Sequence, residues 1–178
     1  LGPGQSLTLL GGTVINTGEL STPGGQITVA AVPGEQIVRI SQVGQLLNLE
    51  IVEDLSSGTA IGLNAPSFTP LMLPELLTNG TINHATRLIA NADGTVSLIN
   101  SSLAIPTQPG TAIASGTLNV SSTNLFGTGG TLAVLGTLVG VLDARLYASG
   151  PSGGGHIFIG GDYQGQGSMP RATQTFVG

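Results

Sequence analysis

The feature that most constrains the fold of this chain is a glycine-containing corner that recurs before short apolar stretches. After each corner, apolar and polar residues alternate over about four to six residues, which is typical of a strand with one buried face. Glycine allows the positive φ angle that a tight turn needs, and a following threonine favours the strand. The corners are Gly11-Gly12-Thr13, Gly24-Gly25-Gln26, Asp93-Gly94-Thr95, Ser115-Gly116-Thr117, Gly129-Gly130-Thr131 and Gly154-Gly155-His156.

The spacing of equivalent apolar positions indicates a repeating all-β architecture. Val96 and Leu118 are 22 residues apart, Leu118 and Leu142 are 24 apart, and Val134 and Ile157 are 23 apart. A period of about 20–25 residues predicts a parallel β-helix, also called a β-solenoid. A β-sandwich is the alternative, but sandwich cores usually contain large aromatic residues, and aromatic residues make up only 3% of this chain. We expect nine residues to face inward and stack: Val96, Leu98, Leu118, Val120, Leu132, Val134, Leu142, Ile157 and Ile159.

Composition excludes several classes of partner. The 178 residues include four Lys or Arg residues and no cysteine, and the formal net charge is −5. Scattered arginines form no basic patch for phosphates, which argues against nucleic-acid binding. Without cysteine there are no disulfides, and the usual structural zinc ligands are missing. No apolar run reaches the roughly 20 residues of a transmembrane helix. No basic region followed by an apolar stretch opens the sequence, so we expect a signal peptide to be absent or already removed.

We interpret residues 1–178 as a single β-solenoid segment that is interrupted by a proline-rich excursion at residues 55–80. Pro66, Pro70 and Pro74 argue against a central strand there, because proline cannot donate a ladder hydrogen bond. Pro74 is suited to the first position of one short helical turn. The excursion is therefore predicted to be an inserted loop or short helix.

Glu50, Glu53 and Asp54 form the only local acidic cluster of the sequence. Paired carboxylates could act on a polysaccharide by acid–base catalysis, or bind calcium through oxygen ligands. We interpret them instead as a solvated edge, because no further acid or arginine recurs nearby to complete a site. The sequence thus predicts no catalytic residue, no metal site and no cofactor.

Five other polar residues have the spacing of ordinary surface positions. Asp143, Arg145 and Tyr147 lie two apart, so a strand would place them on one outer face, where Asp143 and Arg145 could pair. Leu142, Ala144 and Leu146 would then face inward. His84 and His156 have no metal-ligand spacing, and His156 is expected to point outward beside Phe158.

Three Asn-x-Ser/Thr sequons begin at Asn79, Asn100 and Asn119. Asn79 and Asn100 are the better candidates for glycosylation, because they are predicted to lie in exposed turns, whereas Asn119 is predicted to lie in a strand.

Several longer stretches carry a family resemblance. They are residues 12–20, 23–35, 109–117, 134–136, 143–144, 148–150 and 154–167, and the last of them ends Gly-Gly-Asp-Tyr-Gln-Gly-Gln-Gly. In these stretches the chain resembles the large secreted exoproteins of cyanobacteria that have a filamentous-haemagglutinin-like architecture.

The resemblance implies a passenger of two-partner secretion that folds outside the cell as a right-handed parallel β-helix. The implied role is structural and adhesin-like, in surface attachment or extracellular matrix, with no enzymatic activity. Expected partners are further coils of the same exoprotein or other copies, joined through the solenoid ends, and surface glycans. A β-helical polysaccharide-active enzyme and a carbohydrate-binding module are the alternatives.

Overall fold

The computed structural model describes residues 1–33, 37–39, 50–52, 83–92, 95–100, 103–106 and 108–178. These residues form strands and one short 3-10 turn, Tyr163–Gly165. The strands, in chain order, are β1 (Ser6–Gly11), β2 (Thr13–Asn16), β3 (Glu19–Ser21), β4 (Gln26–Ala31), β5 (Ile37–Arg39), β6 (Glu50–Val52), β7 (Arg87–Ala90), β8 (Thr95–Ile99), β9 (Leu103–Pro106), β10 (Thr111–Ala114), β11 (Thr117–Asn119), β12 (Thr131–Leu135), β13 (Leu138–Val141), β14 (Arg145–Tyr147), β15 (His156–Ile159) and β16 (Gln174–Val177).

Three parallel sheets make up most of the described fold. Sheet A has the order β1-β4-β12-β15, sheet B has the order β2-β10-β13-β16, and sheet C has the order β3-β11-β14. The chain visits sheets A, B and C in the same order on each pass, so every strand pairs with its counterpart from the next pass. The prediction of an all-β fold with parallel pairing is confirmed.

Register aligns like residues from successive passes into columns. In sheet A, Leu7, Ile27, Leu132 and Ile157 pair in turn. In sheets B and C the matching inward residues are small or aliphatic, such as Ala112 and Leu118. Each fully buried aliphatic side chain contributes roughly 1.5–3 kcal/mol, so these columns supply the main apolar core. No described aromatic residue belongs to this core cluster.

The corner glycines of sheet A are required by close approach rather than by a positive φ angle. Gly25, Gly130 and Gly155 stack at one corner, and a Cβ on each would collide with the carbonyl oxygen of the residue below it. Thr131 N donates to Gly25 O at 2.9 Å, and His156 N donates to Gly130 O at 3.0 Å. The predicted corners were correct in position, since a strand begins at the last residue of each of them. The predicted cause was wrong for these three glycines, because none of them has a positive φ angle.

The described strands between β4 and β10 lie outside the parallel sheets. β5 pairs with β6, and β7-β8-β9 form a three-stranded sheet, both antiparallel. Leu98 and Ile105 of the three-stranded sheet pack on Ile113 and Leu142, at the outer side of sheet B. The proline-rich residues 55–80 lie outside the described residues.

The predicted repeat length was wrong in detail. Leu118 pairs with Leu146, 28 residues later, rather than with Leu142. Val134 pairs with Ile159, 25 residues later, rather than with Ile157. Turns of unequal length separate the strands, so the main-chain register and not a constant spacing decides which residues stack.

The predicted core is confirmed in part. Leu118, Val120, Leu132 and Val134 lie in the main core. Leu98 and Leu142 are buried in the cluster outside sheet B instead. Val96 was predicted to stack in a parallel column, but it is half-buried in the antiparallel sheet. Ile159 is half-buried against the main core, and Ile157 is 42% exposed.

Candidate functional site at the open sheet edges

The three parallel sheets present strand edges on both sides. In the described part of the chain, β1, β2 and β3 lie at one edge of sheets A, B and C, and β15, β16 and β14 lie at the other. An edge strand offers unpaired N–H and C=O groups to any strand that approaches it. These two edges are candidate interaction surfaces.

At the β15 edge, hydrogen bonding shows which main-chain groups face outward. His156 N donates to Gly130 O at 3.0 Å, and Gly160 N donates to Val134 O at 2.9 Å. Main-chain groups of alternate residues in a strand point in opposite directions. The N–H and C=O groups of Ile157 and Ile159 therefore point away from β12, toward the open edge.

The β1 edge is built in the same way. Gln5 O and Gly11 O accept hydrogen bonds from Gln26 N and Val32 N, at 3.0 and 2.9 Å. By the same alternation, Ser6, Thr8 and Leu10 direct their main-chain groups away from β4. The two edges of sheet A thus offer complementary ladders for parallel pairing.

The apolar interior is open at the β15 edge. Ile27 and Leu132 are fully buried in the middle of their column, whereas Ile157 at the end of the same column is 42% exposed. Ile157 was predicted to be buried, and it is not because no further strand covers it in the described residues. A covering coil would bury it as Leu132 buries Ile27.

The edge strands carry little charge. β1, β15 and β16 contain no Asp, Glu, Lys or Arg residue. In sheet C, Glu19 on one edge and Arg145 on the other both pair in register with Thr117. Charged residues, bulges and prolines are the usual protection of edge strands, so these edges are poorly protected and have opposite charges at matching positions.

The structure describes only part of the predicted acidic cluster. Glu50 lies in β6, where its register partner is Arg39 of β5. Glu53 and Asp54 lie outside the described residues, and the interpretation of the cluster as a solvated edge stays a prediction. Over the described ranges, no group of three or more His, Cys, Asp or Glu residues is arranged to bind a metal ion.

Asp143 does not share a strand face with Arg145 and Tyr147. It lies at a corner before β14 with a φ angle of 44°, and its Oδ2 accepts a hydrogen bond from His84 N at 2.6 Å. Arg145 and Tyr147 are exposed on β14 as predicted, with Leu146 packed against the interior between them. Leu142 was predicted to face the same interior, but it belongs to the cluster outside sheet B.

Two further predicted positions, His156 and Asn100, lie on the surface. The ring of His156 stacks on Phe158 on the outer face of sheet A, with centroids 6.0 Å apart, as predicted. Asn100 is exposed in a turn with a φ angle of 84°, and its Nδ2 donates to His84 O at 3.3 Å. Asn79 lies outside the described residues.

Sequence reasoning missed one exposed apolar tip. Leu125 and Phe126 are 79% and 89% exposed in a turn that is closed by a hydrogen bond from Gly127 N to Asn124 O at 2.8 Å. An apolar pair between Asn124 and Gly127 is the signal that could have indicated it, because asparagine and glycine favour turns.

In the described ranges there is no helix with the length and apolarity needed to cross a membrane. No protein family, curated protein or solved structure matches this chain.

Proposed function

We propose that this chain is a structural, adhesin-like segment of a secreted filamentous exoprotein, and that its three parallel sheets wind as a right-handed parallel β-helix. The observation that carries the proposal is the repeated order of sheets A, B and C with in-register columns of aliphatic residues. Such an architecture can lengthen by adding passes of the same kind, because each pass buries the face of the one before it.

The open edges support a role in elongation. Sheet A ends in β15, whose outward N–H and C=O groups match those of a further parallel strand, and its inward Ile157 is left half uncovered. A covering pass would bury this side chain and pair the ladder. The partner is another coil, either from the same exoprotein or from a second copy, and surface glycans are the proposed targets of attachment.

Charge also favours head-to-tail contact between like units. The edge strands of sheets A and B contain no Asp, Glu, Lys or Arg side chain whose charge would have to be desolvated. In sheet C, Glu19 and Arg145 lie at opposite edges of one register column. If two copies met through the same edge of sheet C, charges of equal sign would come together. If one edge met the opposite edge of the next copy, Glu19 and Arg145 would come closer.

Immunoelectron microscopy of the producing cells tests the proposed location and role. An antibody raised against the folded chain is expected to label material at the cell surface and extended extracellular filaments. Protease treatment of intact cells should remove the label, because a surface protein is accessible. Label confined to the cell interior, with no change after protease, would overturn the proposal.

Edge pairing can be tested on the purified chain with two adjacent residues of β15. Ile157→Lys places an ammonium group in the open apolar end, so we expect end-to-end association in sedimentation velocity to be lost. His156→Lys is the matched control, since residue 156 is exposed on the outer face of the same strand. Equal association of the two variants would contradict elongation through this edge.

A further inference from the structure

The antiparallel sheet β7-β8-β9 has an exposed edge of a different kind. β7 lies at its outer edge, and all four residues of β7 are exposed. They include two large apolar side chains, Leu88 at 36% and Ile89 at 46% exposure. An exposed edge strand with large apolar side chains is an association site in general.

Hydrogen bonding shows which groups of β7 face the open edge. Asn91 N donates to Thr95 O at 2.8 Å, so Asn91 and Thr95 form a hydrogen-bonded pair. The pair of Ile89 and Ser97 lies two residues away from it on each strand. Hydrogen-bonded pairs alternate with non-hydrogen-bonded pairs in an antiparallel ladder. Ile89 and Asn91 therefore bond to β8, whereas the main-chain groups of Leu88 and Ala90 point toward the open edge.

Apart from the charge of Arg87, the usual protection of an edge strand is missing from the sequence of β7. Its sequence, Arg-Leu-Ile-Ala, contains no proline, no lysine and no acidic residue. The sheet is also held in place, because Leu98 of β8 is buried against the outer side of sheet B. The β7 edge is thus held in a fixed position, and its one charged side chain is that of Arg87 at the start of the strand.

We infer that β7 pairs antiparallel with β7 of a second copy of this chain, about a twofold axis that passes beside Ile89. In this register Leu88 and Ala90 exchange main-chain hydrogen bonds with the partner's Ala90 and the partner's Leu88. Ile89 lies opposite the partner's Ile89 in a non-hydrogen-bonded pair, where side chains are closest. Such a contact is isologous and closes as a dimer.

Charge and hydrophobicity select a second copy over another occupant. The symmetric register covers Ile89 with an identical apolar side chain, and it places Arg87 opposite the partner's Asn91 instead of the partner's Arg87. A polar or acidic strand from another protein would not cover Ile89 with an apolar side chain. Its acidic residues would find only one cation in β7, the side chain of Arg87. This side-by-side contact goes beyond the end-to-end role proposed above, because it joins neighbouring segments laterally.

Single-cysteine variants test the register directly, since the chain has no cysteine of its own. Cα atoms of a non-hydrogen-bonded antiparallel pair are about 4.5 Å apart, which is within the range of a disulfide. Ile89→Cys is therefore expected to give a covalent dimer at twice the monomer mass under mild oxidation. Leu88→Cys is the matched control, because its own counterpart lies two positions further along the partner strand.

A second pair of variants tests the contact without a covalent link. Ala90→Pro removes only an N–H group that faces the open edge, so the chain should sediment as a monomer. Ala90→Ser keeps that N–H group and should sediment as a dimer. All four variants carry Ile157→Lys, so that the result is independent of end-to-end association through β15.

Three outcomes would overturn the inference. They are a dimer that persists in Ala90→Pro, equal crosslinking of Leu88→Cys and Ile89→Cys, and a monomer of Ala90→Ser at every concentration. If Ala90→Pro fails to fold, as judged by circular dichroism, the cysteine pair alone decides.

Discussion

The parallel sheets and the antiparallel sheet of this molecule are stabilised in different ways. In the parallel sheets, paired residues are far apart in the sequence, as Gln26 and Thr131 are, and inward residues in the middle of a column, such as Leu132, are completely buried. In the antiparallel sheet, paired residues are close, as Ala90 and Val96 are, and β7 is exposed along its whole length. The parallel part therefore contains the core, whereas the antiparallel part depends on docking to it.

Among the described residues, the attachment between the two parts is specific. Residues 83–86, which precede β7, are bound to two corners between sheets B and C. Ala85 N donates to Ser115 Oγ at 3.0 Å, and His84 N donates to Asp143 Oδ2 at 2.6 Å. Small antiparallel sheets are marginal by themselves, so these bonds and the cluster around Leu98 are expected to control whether the inserted sheet stays docked.

The largest effect is expected where the parallel stack is tightest. Gly130→Ala places a Cβ against the carbonyl oxygen of Gly25, which can move only if the corner of sheet A opens. We expect the free energy of unfolding in urea to fall by about 3 kcal/mol or more, in the upper range for single substitutions.

Gly12→Ala is the matched control for this prediction. It lies at another corner, and a Cβ added to Gly12 would meet no atom within 4 Å. The expected change is within about 0.5 kcal/mol, as for surface substitutions. Equal losses in the two variants would show that the corners are not held by close approach.

A smaller effect is expected at the attachment of the inserted sheet. Ser115→Ala leaves the buried N–H of Ala85 without its acceptor, which costs about 1–3 kcal/mol. Hydrogen exchange of residues 83–92 and 95–100 should accelerate more than exchange in β12. The control is Ser121→Ala, whose hydroxyl bonds to Ser149 at an exposed position. Uniform acceleration of exchange in both parts would mean that they unfold as one unit.

The sequence was sufficient to place strands but not to pair them. Corners such as Gly129-Gly130-Thr131 predicted where strands begin, and alternation predicted that Leu118 and Leu132 face inward. The same alternation occurs in antiparallel strands, so Val96 and Leu98 were assigned to a parallel column. Pairing depends on contacts between distant residues, and a local pattern does not contain them.

The candidate site was less predictable for a related reason. Open edges depend on which strands are outermost, and this follows from the order of the sheets rather than from any motif in β15. The position of Asp143 depends on a left-handed corner, where alternation no longer applies. The side chain of Asp143 accepts a hydrogen bond from the distant main-chain N–H of His84. The sequence around Asp143 contains no pattern that predicts this contact.

The smallest effects are expected at the two left-handed residues that hold His84. Asp143 and Asn100 have φ angles of 44° and 84°, and their side chains bind the N–H and the C=O of His84. Glycine at either position relieves a left-handed conformation that costs an ordinary residue about 1–2 kcal/mol, and less for Asp or Asn. It also removes the side-chain hydrogen bond, so the two contributions oppose each other.

The length and the charge of each hydrogen bond decide whether its loss outweighs the relief of the left-handed conformation. The bond of Asp143 is short and charge-assisted, so Asp143→Gly is expected to lower the free energy of unfolding by about 0.5–1 kcal/mol. The bond of Asn100 is long at 3.3 Å and exposed, so Asn100→Gly should change it by less than about 0.5 kcal/mol. Asp143→Asn keeps a side-chain oxygen that can accept the hydrogen bond but removes the negative charge. It therefore separates the contribution of the charge from that of the hydrogen bond. A larger loss at Asn100 than at Asp143 in urea unfolding would reverse the order, and would mean that the bond within the inserted part contributes more stability than the bond of His84 to the parallel corner.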